Sequence, residues 1–282
     1  MKSDPLTPYK LDDAWPAVEP NNARDCLERL VRLKLSGKKT AYHGAYREKW
    51  RCILSSLDVH FDEKEIPAGQ RLTVESRLLE AFAKEADPHL SPGAYRHIKL
   101  ANVKWKTLRN TGTVFVGRHY GLPTRCVDWT SDCLTGLFFA CRREFNEPGV
   151  VWWMNNDEFS ARLAEQWPTA YGKKEDVEDD FERDFIRGKG KGVFIRFRYP
   201  DWMERPTKQN AWITLADQYE IRHDKAIHRL GLRECGRLIV RASLKRELLN
   251  MLSRMGTSGA SLGLGDACVE TMAADVARKL GS

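Results

Sequence analysis

The sequence predicts an α+β domain with a small β-sheet core and surrounding and C-terminal helices. Three observations point there. Short runs rich in Val, Trp, Phe and Ile, at residues 149–154 (GVVWWM) and 192–199 (GVFIRFRY), read as strands. Apolar residues spaced three and four apart read as amphipathic helices lying between such strands. No internal repeat and no long linker separates the two kinds of segment. The 282 residues are 42% hydrophobic and 30% charged, which is ordinary for a globular chain. Disorder needs fewer apolar residues and a larger charge imbalance, so it is excluded. With 20 Gly and 12 Pro, collagen-like and low-complexity chains are excluded as well.

Taken in order, residues 1–21 carry four Pro and no periodicity, which predicts an extended N-terminal arm ahead of a single domain over residues 22–282. Asn22 is a good N-cap for a helix bearing Leu27, Leu30, Val31 and Leu35, and Gly37 closes it. Residues 40–44 (TAYHG) suit a strand running into a turn. Val74, Leu78, Phe82 and Ala86 form a helical stripe stopped by Asp87-Pro88. Residues 93–109 predict a further helix, and residues 114–121 lead to a turn at Leu122-Pro123. Residues 124–129 (TRCVDW) read as a strand, and Leu134, Leu137, Phe138 and Cys141 as a buried helix. Between the strands at 149–154 and 192–199 lies an acidic run of seven acids from Glu175 to Asp184, then Arg187, Lys189 and Lys191 among glycines. Residues 212–215 and 238–242 predict two more strands. Two amphipathic helices follow, one from Ser243 through Leu248 and Leu252, one from Asp266 through Met272 and Leu280.

The seven cysteines contain no CxxC pair, which argues against a zinc knuckle, a dithiol motif or a secreted disulfide framework. They read as buried thiols in a reducing compartment. The N-terminal residues lack a signal-peptide core, and the most apolar stretch, residues 134–141, is too short to span a bilayer. The expectation is a cytoplasmic protein without a membrane partner and without a metal. A net charge of +7 fits either a solubility surplus or an anionic partner.

Three segments place polar, reactive side chains against turns. In Tyr42-His43-Gly44, a His beside a Gly allows a ligand close to the backbone; the bland reading is a structural His. Residues 119–130 (HYGLPTRCVDWT) gather His119, Tyr120, Thr124, Arg125, Asp128, Trp129 and Thr130. Asp128 and Thr130 share one strand face opposite Trp129. Either of them could instead cap the following helix, with Arg125 as ion-pair partner. The third segment is Gln209-Asn210 entering a strand, followed by Gln218 and Glu220; a polar surface loop is its bland reading. The glycine-lysine run at 188–192 lacks the spacing of a P-loop, and Gly263-Leu264-Gly265 is not a dinucleotide fingerprint. No HExxH, GxSxG or kinase signature occurs. Basic and aromatic residues alternate at 46–51 and 194–199, a pattern shared by single-strand nucleic-acid binders and half-buried strands.

The three segments together, in this order, resemble the FRG domain family. The family's signature resembles QHYGLPTRLLDWT followed by an ALxFA helix; here residues 118–130 read RHYGLPTRCVDWT and residues 136–140 read GLFFA. The Gln-rich segment that the family carries before a short late strand is similar to residues 209–214. The resemblance runs from about Tyr42 to the C-terminus. His43 stands where the family motif has Arg, and an Arg-or-His choice before Gly also divides the ADP-ribosyltransferases.

By analogy, the resemblance implies a split β-sheet core like that of ADP-ribosyltransferases, with NAD as substrate in a cleft between two small sheets. It implies His43 near the ribose, and Thr130 and Asp128 lining a nicotinamide pocket beside Tyr120 or Trp129. Tyr42, Gly44, His119 and Arg125 complete the implied binding set. Breaking the glycosidic bond develops positive charge, so a carboxylate or amide dipole must stabilise it. Glu220 and Gln209 are the two candidates, and both stay open. The implied activity is transfer of ADP-ribose to an RNA or protein acceptor, with a toxin–antitoxin or antiphage setting and an antitoxin-like partner protein. The rival readings are a non-catalytic nucleic-acid or nucleotide-binding module, and a nuclease with His43 and His119 as acid and base.

Overall fold

The computed structural model describes residues 11–48, 55, 57, 70–86, 114, 117–118, 121–166, 194–198, 204–216 and 223–264. The first elements are α1 (Leu11–Ala14), β1 (Ala17–Val18), α2 (Ala23–Leu35), β2 (Thr40–Ala45) and α3 (Arg71–Ala86). The middle of the chain gives β3 (Cys126–Thr130), α4 (Cys133–Cys141), β4 (Gly149–Asn155), α5 (Asn156–Gln166) and β5 (Phe194–Arg198). Then come α6 (Glu204–Lys208), β6 (Ala211–Ala216), α7 (His223–His228), β7 (Cys235–Val240), a 3-10 turn (Ala242–Leu244) and α8 (Lys245–Arg254).

The strands form one open, mixed, seven-stranded sheet in the order β1-β7-β4-β2-β3-β6-β5. Among the described strands only β1 pairs in parallel, with β7; the other neighbours are antiparallel. The sheet has a weak seam. β2 matches β4 over six register pairs, from Thr40↔Asn155 to Ala45↔Val150, and β3 matches β6 over five. β2 and β3 meet through one pair alone, Tyr42↔Thr130. The two small sheets implied by the resemblance are therefore one sheet pinched at its middle.

Period-two alternation sends side chains to opposite faces. Val150, Trp152 and Met154 point to one core with Trp129, Trp212 and Phe159. Val151 and Tyr42 point to the other core, where Leu27 and Leu30 of α2, Leu137 and Ala140 of α4, and Leu248 and Leu252 of α8 pack. Asn22 caps α2 by accepting from Asp25 N at 2.9 Å, and Gly37 follows with φ +78°, as the sequence suggested.

Helix α4 lies unusually close to the sheet. A Cβ on Gly44 would sit 2.0 Å from Gly136 O, and one on Gly149 would sit 2.2 Å from Ala140 O. The end of this packing is held by Lys245, which is fully buried. Its ammonium donates to the carbonyls of Tyr46 (2.7 Å), Arg143 (3.0 Å) and Glu144 (3.0 Å), so each of its three donors has an acceptor.

Residues 11–18 depart from an extended arm. Residues 11–18 are built into the sheet edge, anchored by a Trp15 side chain with no exposed surface. Its ring meets Trp152 edge-on at 5.3 Å, and its Nε1 donates to Asp224 O at 3.3 Å. Arg237 binds this edge through Trp15 O at 3.1 Å and an ion pair with Asp12. Burying one indole stabilises the edge enough to override a Pro-rich, aperiodic stretch. Strand β7 begins at Cys235 and ends at Val240, shifted toward the N-terminus from residues 238–242. The helices expected over 93–109 and from Asp266, the acidic run and the glycine-lysine run lie outside the described residues. Cys26 and Cys126 are buried, and burial pushes their thiols up to about 12, in keeping with inert protonated groups.

Candidate functional site

A cleft of about 290 Å³ opens at the seam. Its walls come from β2 (Tyr42, His43, Gly44), the end of β3 (Asp128, Trp129, Thr130), α4 (Thr135, Gly136, Phe139) and the α6–β6 junction (Arg205, Gln209, Ala211). Strand pairs that diverge after one bridge leave room there, whereas fully laddered neighbours would fill it.

His43 Nδ1 lies 2.8 Å from Asp128 O, and its ring centroid lies 5.7 Å from that of Trp129. A carbonyl only accepts, so Nδ1 carries the proton and, in the neutral ring, Nε2 carries the lone pair. Burial lowers its pKa to about 4, overcoming the opposing pull of the Asp128 carbonyl, so the ring is neutral near pH 7. Trp129 is held from behind: its Nε1 donates to Thr214 Oγ1 at 3.0 Å, and its ring stacks on Trp212 at 5.8 Å.

The Asp128 carboxylate accepts from Arg118 Nε at 2.7 Å, with Arg118 Nη2 at 2.5 Å from the same oxygen. Arg118 is thus its ion-pair partner, correcting the expectation of Arg125. Arg125 is instead buried against α3, with Nε 2.8 Å from Glu75 Oε2 and its backbone N donating to Glu75 Oε1 at 3.0 Å. It does not line the cleft. Sequence alone could not reveal this, because Glu75 is fifty residues away.

Thr130 Oγ1 donates to Gln209 O at 2.6 Å and accepts from Asp132 N at 3.0 Å. The cap of α4 is Asp132, not Asp128 or Thr130: Asp132 Oδ2 accepts from Thr135 N at 3.0 Å and Thr135 Oγ1 at 2.8 Å. The helix starts at Cys133, which places the capping position after the strand end. Gln209 lines the cleft, and its Nε2 donates to Leu262 O at 2.9 Å. Gly44 stands within β2 on the cleft wall, and its missing side chain leaves room for the backbone of α4. His119, Tyr120, Gln218 and Glu220 lie outside the described residues.

Sequence reasoning missed Arg142, Arg205, Tyr46 and Phe139 as cleft residues. Nothing local distinguishes these arginines among the 46 Lys and Arg of the chain; only the fold collects them. It also missed His223, which is buried near His43 and has its pKa pushed by burial to about 3. Both histidines bind a proton more readily when unfolded, where the pKa is about 6.5. Their contribution is therefore complete above about pH 6.5 and is lost as pH falls toward about 4 for His43 and about 3 for His223. Within that window each is expected to remove about 1.4 kcal/mol per pH unit. Urea denaturation across it checks this, and a flat midpoint that His223→Gln leaves unchanged contradicts it.

Comparison with known domain families matches residues 38–148 to the FRG domain. This is a clear FRG domain match over part of the chain. No curated protein and no solved structure matches it. The FRG match takes in β2, β3 and α4, and with them His43, the Asp128–Thr130 strand end and the Gly44–Gly136 contact. Arg205 and Gln209, which form the opposite wall of the cleft, come from beyond the FRG match. Among the described residues no cluster of His, Cys, Asp and Glu could hold a metal ion, and no helix is long and apolar enough to cross a membrane.

Proposed function

We propose that the cleft is the active site of an ADP-ribosyltransferase-like enzyme that takes NAD as substrate and modifies an RNA or protein acceptor. The observation that supports this reading is convergence: His43, Thr130 and Gln209, from three separate segments, line one cleft. The lining suits the ligand, combining a neutral imidazole, hydroxyls, aromatic walls and guanidinium groups. NAD supplies a ribose–nicotinamide bond that leaves positive charge on the ribose as it breaks. His43 accepts a ribose hydroxyl at Nε2, with Asp128 O fixing its tautomer. The Trp129 ring flanks the nicotinamide.

Two carboxylates are candidates for the electrostatic part of catalysis. Asp128 lies in the cleft beside Arg118, which offsets its charge; Glu220 follows β6. Gln209 supplies an amide dipole from the same wall. The cellular setting that accords with the resemblance is a cytoplasmic toxin held by an antitoxin or another partner protein, in a toxin–antitoxin or antiphage system.

The Arg118–Asp128 pair favours a second reading, a nucleotide-binding module without turnover, because it neutralises the one carboxylate among the described lining residues. Labelled NAD incubated with the full chain and cell extract separates the two. Transfer of label to RNA or protein, retained in Asp128→Asn and lost in Glu220→Gln, is the expected result. Binding of NAD with no transfer and no nicotinamide release overturns the enzyme reading.

A further inference from the structure

We infer that Gln209 is a specificity residue that reads a primary carboxamide, which assigns the nicotinamide end of the ligand to the α6–β6 wall; the inference rests on the NAD reading. Gln209 is half-buried and lines the cleft. Its backbone is held from two sides. Its N donates to Arg205 O at 3.1 Å, and its O accepts from Thr130 Oγ1 at 2.6 Å. The next residue, Asn210, takes the left-handed conformation at φ +47°. Its N donates to Thr207 O at 3.0 Å and its O accepts from Ser131 N at 3.2 Å. A non-glycine residue holds such a backbone only where its surroundings over-determine it, so the position of Gln209 is set by the fold.

The side chain has a fixed sense as well. Nε2 donates to Leu262 O at 2.9 Å. A carbonyl only accepts, so a flipped amide would set two oxygens against each other. Leu262 is itself anchored: it is 4% exposed, packs in the core with α2, α4 and α8, and its N donates to Ser258 O at 3.0 Å. Ser258 N donates to Ser261 Oγ at 2.8 Å and Ser261 N to Ser258 Oγ at 3.2 Å, which braces this turn from within. Gly263, at φ +68°, lays the turn against α6, where an added Cβ would be 3.3 Å from Arg205 Cβ. Among the described residues nothing donates to Gln209 Oε1, and Nε2 keeps a second N–H. Gln209 therefore presents one acceptor and one donor, oriented before a ligand arrives, which lowers the ordering cost of binding. A primary carboxamide is the complement, with an N–H to give and a carbonyl to receive. A carboxylate has acceptors alone, and a methyl ketone lacks the N–H.

The test is equilibrium binding to the intact chain, read by tryptophan fluorescence. The probes are NAD, its nicotinic acid analogue (a carboxylate), its acetylpyridine analogue (a methyl ketone) and free nicotinamide. Wild type is expected to bind the methyl ketone analogue about tenfold more weakly than NAD, and the carboxylate analogue more weakly still, because each leaves a polar group of Gln209 without its partner. Gln209→Met keeps the length and removes both polar groups, so it should bind NAD and the methyl ketone analogue within about twofold of each other. The wild-type ranking needs no variant, so it stands as a test even if Gln209→Met misfolds, which a thermal melt reveals. Equal binding of NAD and the methyl ketone analogue by wild type overturns the assignment and leaves the NAD reading standing. The full preference retained in folded Gln209→Met does the same. Gln209-dependent binding of nicotinamide with no binding of NAD keeps the carboxamide subsite and overturns the NAD reading. Failure of all the probes to bind wild type overturns both.

Discussion

Replacing Arg125 with leucine is expected to destabilise the protein by about 3–5 kcal/mol, the scale seen when one member of a buried ion pair is removed. Arg125 is 5% exposed and Glu75 2%, so the substitution would take the Arg125 guanidinium away from a carboxylate in the interior. The pair also does structural work at a distance. Glu75 on α3 takes both the Arg125 guanidinium (2.8 Å) and the Arg125 backbone N (3.0 Å), pinning the entry of β3. That strand delivers Asp128 and Thr130 to the cleft. The double variant Glu75→Leu/Arg125→Leu should recover much of the loss, because it removes both charges together. Urea unfolding of the two variants measures this. A single-variant loss below about 1 kcal/mol would place the pair in a far more solvated setting than its burial implies.

Gly44→Ala should cost about 3 kcal/mol or more, at the upper end of overpacking changes. The added methyl would meet Gly136 O at 2.0 Å and Ala140 N at 2.9 Å. Both are backbone atoms of α4, so no side-chain rotation relieves the clash; the helix must leave the sheet. Gly136→Ala would meet Tyr42 Cβ at 2.9 Å, a less severe overlap, and should cost less. The order of thermal midpoints, wild type above Gly136→Ala above Gly44→Ala, checks the argument. A Gly44→Ala protein as stable as wild type contradicts it, and would return Gly44 to the role of admitting a ligand.

These two cases mark how far the sequence could be read. The β4 strand was legible because Val and Trp are concentrated in it, and α4 because its apolar stripe has helical spacing. His43, Thr130 and Gln209 stood out because each follows or precedes a turn beside a strand. What was hidden depends on contacts between distant segments. The partner of Arg125 lies on α3, the partner of Asp128 is Arg118, and Gly44 serves a helix nearly a hundred residues later. Trp15 looked like part of an arm because periodicity is invisible in a stretch held by one large side chain. The arginines of the cleft were obscured by a basic composition in which no single Arg is conspicuous.

The most direct test of the central claim is nicotinamide release from NAD by the full chain, comparing wild type with His43→Ala and with His43→Gln. Wild type is expected to release nicotinamide, and His43→Ala to be slower by about 10²–10³-fold, the loss typical of one preorganised polar group at a reacting centre. His43→Gln should keep part of the rate, since its amide oxygen can still accept a ribose hydroxyl. Release by folded His43→Ala at the wild-type rate, or none by wild type under any acceptor condition, would contradict the account.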